Sequence, residues 1–123
     1  MSAQPICLIE AITQALAYEL RHDERVVVLG EDVGVNGGVF RATAGLSAEF
    51  GPERILDTPL DETSIAGLTV GMASQGMIPV AEAQFDGFVY PMVDHIICHA
   101  ARLRTRTRGR MSCPMVLRVP WGG

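Results

Sequence analysis

The sequence predicts an α/β fold: a parallel sheet with helices on both faces. Two observations predict the architecture. Strand-like and helix-like segments alternate four times along the chain. The strand-like segments are near-continuous apolar runs instead of in/out alternations, the mark of strands buried on both faces. At 123 residues, 48% hydrophobic and 20% charged, the composition is that of an ordinary folded domain.

The elements follow in order. Leu8, Ile12, Leu16 and Leu20 recur every four residues and predict an amphipathic helix near 6–21. "RVVVLG" (25–30) is a β-branched run closed by glycine and predicts the first strand. "EDVGVNGGVF" is a glycine-rich loop, and 42–50 predicts a short helix that stops before Gly51-Pro52. "RILDTP" (54–59) reads as a second strand, and Thr63 to Gln75 as a helix with Gly76 at its C-terminal cap. "MIPVAEA" (77–83) is a third strand and "QFDGFVY" an aromatic loop. Pro91 starts a predicted long helix through about Thr107. "MVLRVP" (115–120) is the fourth strand, and the final Gly122-Gly123 reads as the start of a loop. With little after that strand to cover it, the sheet edge calls for partners or further chain.

Bulk properties narrow the function. The net charge of −4 predicts no nucleic-acid partner. The five arginines of "RLRTRTRGR" (102–110) do not share one helical face and read as solvated or as a subunit contact. No apolar run reaches membrane-spanning length and the N-terminus lacks signal-peptide features, so no membrane is expected and the expected compartment is the cytoplasm. Cys7, Cys98 and Cys113 are widely spaced and odd in number, which predicts reduced thiols. His95 and His99 stand at metal-pair spacing, but with no third ligand evident they read as helix-packing or partner-facing residues.

In open α/β sheets, ligands bind beyond the carboxyl ends of the strands. That rule gathers Glu31 and Asp32, Asp61 and Glu62, Phe85, Asp86 and Phe88, and Trp121 on one rim. Acids and aromatics with few positive charges suit a flat, nitrogen-containing ring better than a phosphate. Each residue also has a plainer reading. Asp61 and Glu62 complement a helix start. Phe85, Phe88 and Tyr90 could serve as core or interface. "GVNGG" does not match a dinucleotide fingerprint.

The stretches "GEDV", "DTPL-x-E" and "AEAQFDGF-x-YP", within a match running from "LIEAI" to "RVPWGG", resemble the β subunit of thiamine-diphosphate-dependent 2-oxo acid dehydrogenases, the decarboxylating component of pyruvate and branched-chain complexes. The similarity lies in the N-terminal, transketolase-like pyrimidine-binding domain, which it implies for 1–123. The C-terminal domain and the family's active-site histidine fall outside these residues. By this resemblance Glu62 is the catalytic glutamate that hydrogen-bonds N1′ of the cofactor's aminopyrimidine, favouring the tautomer whose 4′-nitrogen takes a proton. Phe88, in a loop with Phe85, packs on the pyrimidine, and Glu31 belongs to an acidic passage between paired sites.

The resemblance also implies the remaining cofactors and partners. Magnesium and the diphosphate are held by the α subunit, so no metal site is expected on this chain. In some members a monovalent cation, potassium, is held by backbone oxygens near Cys113, Met115 and Val116. The expected partners are the α subunit, a second β subunit in a heterotetramer, and a lipoyl-bearing acyltransferase component. The chain alone is expected to lack full activity. An acetoin dehydrogenase or other transketolase-like enzyme is the alternative chemistry, and a non-catalytic interaction module the alternative class.

Overall fold

The computed structural model describes residues 5–121. Four parallel strands form one sheet in the order β2-β1-β3-β4, with β1 at Val26–Gly30, β2 at Ile55–Asp57, β3 at Ile78–Glu82 and β4 at Val116–Arg118. The predicted parallel α/β architecture is therefore present. β1 is buried along its whole length, as its unbroken apolar run requires. Register pairs Gly30 with Asp57 on one side and with Glu82 on the other, and Glu82 in turn with Arg118.

Helices cover both faces. On one face α1 (Leu8–His22) lays Leu16, Ala17 and Leu20 over Val26, Val28 and Ile55, and Leu46 of α2 (Leu46–Phe50) closes the layer. Glu10 accepts from the Cys7 backbone N–H at 2.9 Å and so closes the first turn of α1. On the other face α3 (Glu62–Ser74) buries Ile65 and Ala66 against Leu29, Ala81 and Met92. The C-terminus of α3 is finished by two backbone bonds, Gly76 N–H to the Ala73 carbonyl and Met77 N–H to that of Met72, the Schellman arrangement expected at Gly76.

Four elements differ from the sequence reading, the first of them the second strand, which is Ile55–Asp57 and not 54–59. The helix expected over 42–50 begins only at Leu46, because Phe40 and Arg41 adopt left-handed backbone angles and Gly45 follows at φ 82°. The long helix expected from Pro91 to Thr107 is interrupted: a 3₁₀ turn at Tyr90–Met92, a π turn at His95–His99, a 3₁₀ turn at Ala100–Arg102 and one α turn, α4 (Leu103–Arg106). The π turn sits where two adjacent β-branched residues, Ile96 and Ile97, follow a His95 packed against Gly67 of α3, a crowding that a wider turn relieves. The last strand is shorter than 115–120 and lies at the sheet edge, flanked by an apolar hollow of about 370 Å³ lined by Ile12, Leu16, Val80, Val116 and Leu117. The loop expected at Gly122-Gly123 lies outside the described residues.

Candidate functional site

The carboxyl ends of β1, β2 and β3 carry the acids. Asp61 and Glu62, adjacent in sequence, have different jobs. Asp61 is the N-cap of α3 and accepts from the backbone N–H groups of Thr63 at 3.1 Å and Ser64 at 3.3 Å, and from the Ser64 hydroxyl. The Ser64 hydroxyl and backbone hold its carboxyl below the usual range. Glu62 is half-buried at the first helical position and has no capping task. The capping part of the plain reading thus falls to Asp61, while Glu62 complements the helix start from the first turn and makes no cap.

Glu31 follows β1 and is only 6% exposed, and its Oε1 has no hydrogen-bond partner among the described residues. Burial pushes its carboxyl up, and the charges of Glu62 and Asp32 push in the same direction. Glu31 and Glu62 are thus electrostatic neighbours, from the ends of a strand and the start of a helix that are far apart in sequence.

The glycine-rich loop between Glu31 and Phe40 is occupied by the protein's own carboxylates. Gly34 N–H donates to Asp57 at 2.6 Å and Val39 N–H donates to Glu82 at 2.9 Å. A Cβ at Gly34 would lie 2.5 Å from an Asp57 carboxylate oxygen, and one at Gly38 would lie 2.8 Å from the Thr43 hydroxyl. Asn36 and Arg41 tie the loop further, through Asn36 Nδ2 to Asp32 at 3.0 Å and Arg41 to the Asn36 carbonyl at 2.6 Å. Backbone donors that would otherwise suit a phosphate are spent internally.

Glu82 is the residue sequence reasoning missed. It is 1% exposed and forms an ion pair with Arg118 of β4 while accepting from Val39. One carboxylate therefore joins β3, β4 and the loop that begins at Glu31. A signal existed: a lone acid in "PVAEA" and a lone base in "VLRVP", each inside an otherwise apolar strand. Asp57 and Thr43, whose hydroxyl donates to the Val33 carbonyl at 2.7 Å, complete this support.

The aromatic loop lies after β3. Phe85 and Phe88 are each 47% exposed and meet edge to face at 6.1 Å between centroids. The loop runs into Met92, which is buried in the same cluster as Ile65 and Ala66, one turn from Glu62. Trp121 departs from the expected rim. It is 85% exposed and lines a hollow with Leu8, Ile9, Ile12 and Phe40, on the α1 side of the sheet.

Among the described residues no group of three His, Cys, Asp or Glu could hold a metal ion. His95 and His99 lie ring to ring at 5.5 Å, with His95 against Gly67, which is helix packing. All five arginines of 102–110 are exposed. The three thiols are free, that of Cys113 pushed up by burial. No described helix is long and apolar enough to cross a membrane.

The carboxyl edge of this parallel α/β sheet carries a helix-start glutamate, a buried acid and exposed aromatics, the place where open α/β domains bind their ligands. The chain belongs to the transketolase pyrimidine-binding domain family, whose model matches residues 4–123. It is 52% identical over 118 residues to the pyruvate dehydrogenase E1 component subunit beta of Acholeplasma laidlawii, covering 96% of this chain and 36% of that protein. It is 50% identical over 121 residues to the 3-methyl-2-oxobutanoate dehydrogenase subunit beta of Mycobacterium tuberculosis, covering 98% and 35%. It is 54% identical over 115 residues to the 2-oxoisovalerate dehydrogenase subunit beta of Bacillus subtilis, covering 94% and 35%. The chain therefore spans about a third of the length of these curated relatives.

Proposed function

We propose that this chain is the pyrimidine-binding part of the β subunit of a thiamine-diphosphate-dependent 2-oxo acid dehydrogenase. It would work with an α subunit and a second β subunit and pass its acyl product to a lipoyl-bearing acyltransferase. The observation that carries the reading is the division of labour at the start of α3: Asp61 takes the cap and leaves Glu62 free of it, beside the buried Glu31.

The residues present fit the aminopyrimidine half of the cofactor and not its diphosphate. When bound, thiamine diphosphate supplies the electron sink for decarboxylation. Glu62 holds the proton shared with N1′ of the ring. Phe88, with Phe85 packed edge to face beside it, packs on the ring and keeps water from it. Glu31, desolvated and next to Glu62, serves as the second acid of the passage. The magnesium and diphosphate contacts fall to the α subunit, consistent with a glycine loop filled by Asp57 and Glu82. A potassium ion at the backbone oxygens of Cys113, Met115 and Val116 rests on the resemblance alone. The relatives' names support a 2-oxo acid substrate, pyruvate or a branched-chain acid, over acetoin cleavage or a non-catalytic module.

The test is Glu62→Gln in the full-length protein assembled with its α subunit. Decarboxylation of 2-oxo acids should fall by about a hundredfold or more, the scale of a lost acid–base group, with assembly intact. Turnover near the native rate would remove the assigned role. Pyruvate, branched-chain 2-oxo acids and acetoin assayed side by side then fix the substrate.

A further inference from the structure

Two buried polar atoms near the site lack partners among the described residues without being part of any ion pair: Glu31 Oε1 and Thr58 Oγ1. Buried polar groups in folded proteins are nearly always hydrogen-bonded, so two such orphans on neighbouring strand ends call for a partner. The topology brings them together. β1 and β2 run parallel with Gly30 opposite Asp57, and Thr58 N–H donates to the Gly30 carbonyl at 3.0 Å. Glu31 and Thr58 directly follow these paired strand ends, so their backbones lie side by side. Several polar groups at the strand ends and in the loops after them are already committed. Asp57 is bonded to Gly34 and Val35, Glu82 to Val39 and Arg118, and Arg41 to the carbonyls of Asn36 and Gly38. Asp32 and Glu62 are acids that raise the cost of charge on Glu31.

We propose that Thr58 is a positioning residue whose hydroxyl donates a hydrogen bond to the Glu31 carboxylate through one bridging water, and so keeps that buried acid able to ionise. The physical basis is simple. A donor to the charged form offsets part of the desolvation and like-charge penalty. The inference deepens the proposed site, since it rests on Glu31 belonging to it. Its readout is the ionisation of one carboxyl group and not turnover.

The experiment is a pH titration of the full-length assembly without added cofactor, followed by infrared difference spectroscopy of the protonated carboxyl C=O stretch. The Glu31 band is assigned by its loss in Glu31→Gln. In Thr58→Val the midpoint of that band should rise by about one pH unit, a tenfold change in the protonation equilibrium. Thr58→Ser, which keeps the hydroxyl, should titrate like the native protein. Thr58→Ala gives the same comparison if valine at this position prevents folding. An unshifted midpoint in the valine or alanine variant overturns the proposal, and so does a serine variant that shifts as far as they do. If Glu62→Gln left turnover intact while the Thr58 shift appeared, the enzymatic reading would fall and this inference would stand.

Discussion

Two loops leave the carboxyl ends of the central strands, and they are built in opposite ways. The loop after β1, residues 31–41, is tied down: its backbone donors end on Asp57, Glu82 and its own carbonyls, and Asp32, Phe40 and Arg41 are held at positive φ. The loop after β3, residues 84–90, is short-range only. Its bonds are turn bonds such as Phe88 N–H to the Phe85 carbonyl at 3.0 Å, and Phe85, Phe88 and Tyr90 stand out of it. A glycine-rich loop invites the reading of a ligand cradle. Here several of its backbone donors are committed to the protein's own carboxylates, and the aromatic loop is the less tethered surface. Strained backbone persists only where its surroundings over-determine it, and Glu82 and Asp57 supply that determination. If this contrast is right, damage to the first loop is read mainly in stability and damage to the second mainly in binding.

The sharpest way to break the contrast is Glu82→Ala. It removes the acceptor of Val39 and strands Arg118, whose side chain is largely buried, without its counter-charge. Losing one partner of a buried pair costs about 3–5 kcal/mol. Urea unfolding of the full-length protein should show a loss of that size. Replacing both residues, Glu82→Leu with Arg118→Leu, should recover a large part of it, since an apolar pair leaves no charge uncompensated. A Glu82→Ala variant as stable as the native protein would mean that the loop does not depend on this carboxylate. Asp57→Ala is the next in size. It leaves the N–H of the buried Gly34 without an acceptor, a loss of about 1–3 kcal/mol. The same unfolding measurement reads it, and asparagine at 57, which keeps an oxygen, should lose less.

The sequence disclosed these two loops unequally. The sheet was legible because its strands are apolar runs, and α3 because Asp61 stands where a cap must stand. The aromatic loop was legible because three large rings between a strand and a proline have no reason to be together in a tight turn. What could not be read was pairing at long range. Asp57 lies 23 residues from Gly34, and Glu82 lies 43 from Val39, so only the register of the sheet reveals that the glycine loop is already filled. The same limit misplaced Trp121, whose side of the sheet depends on how the chain leaves an edge strand. The break in the 91–107 helix was hidden for another reason. Its periodicity is helical, and the contact of His95 with Gly67 that accompanies the wider turn is tertiary.

The smallest effect on stability is expected where the effect on binding is largest. Phe88 is 47% exposed, and its main aromatic contact is the edge of Phe85, so Phe88→Ala should cost about 1 kcal/mol or less in unfolding. A ring stacked on a heterocycle contributes about 1–3 kcal/mol, so removing it should weaken cofactor binding to the full assembly by about tenfold or more. Titration calorimetry of the assembled protein with thiamine diphosphate and magnesium reads the second number, and urea unfolding reads the first. Phe88→Tyr keeps the ring and should bind nearly as the native protein does. The pattern that would erase the contrast is a Phe88→Ala protein with native affinity and markedly reduced stability. The aromatic loop would then be scaffold as well, and the surface that meets the ring would have to be sought elsewhere on the rim.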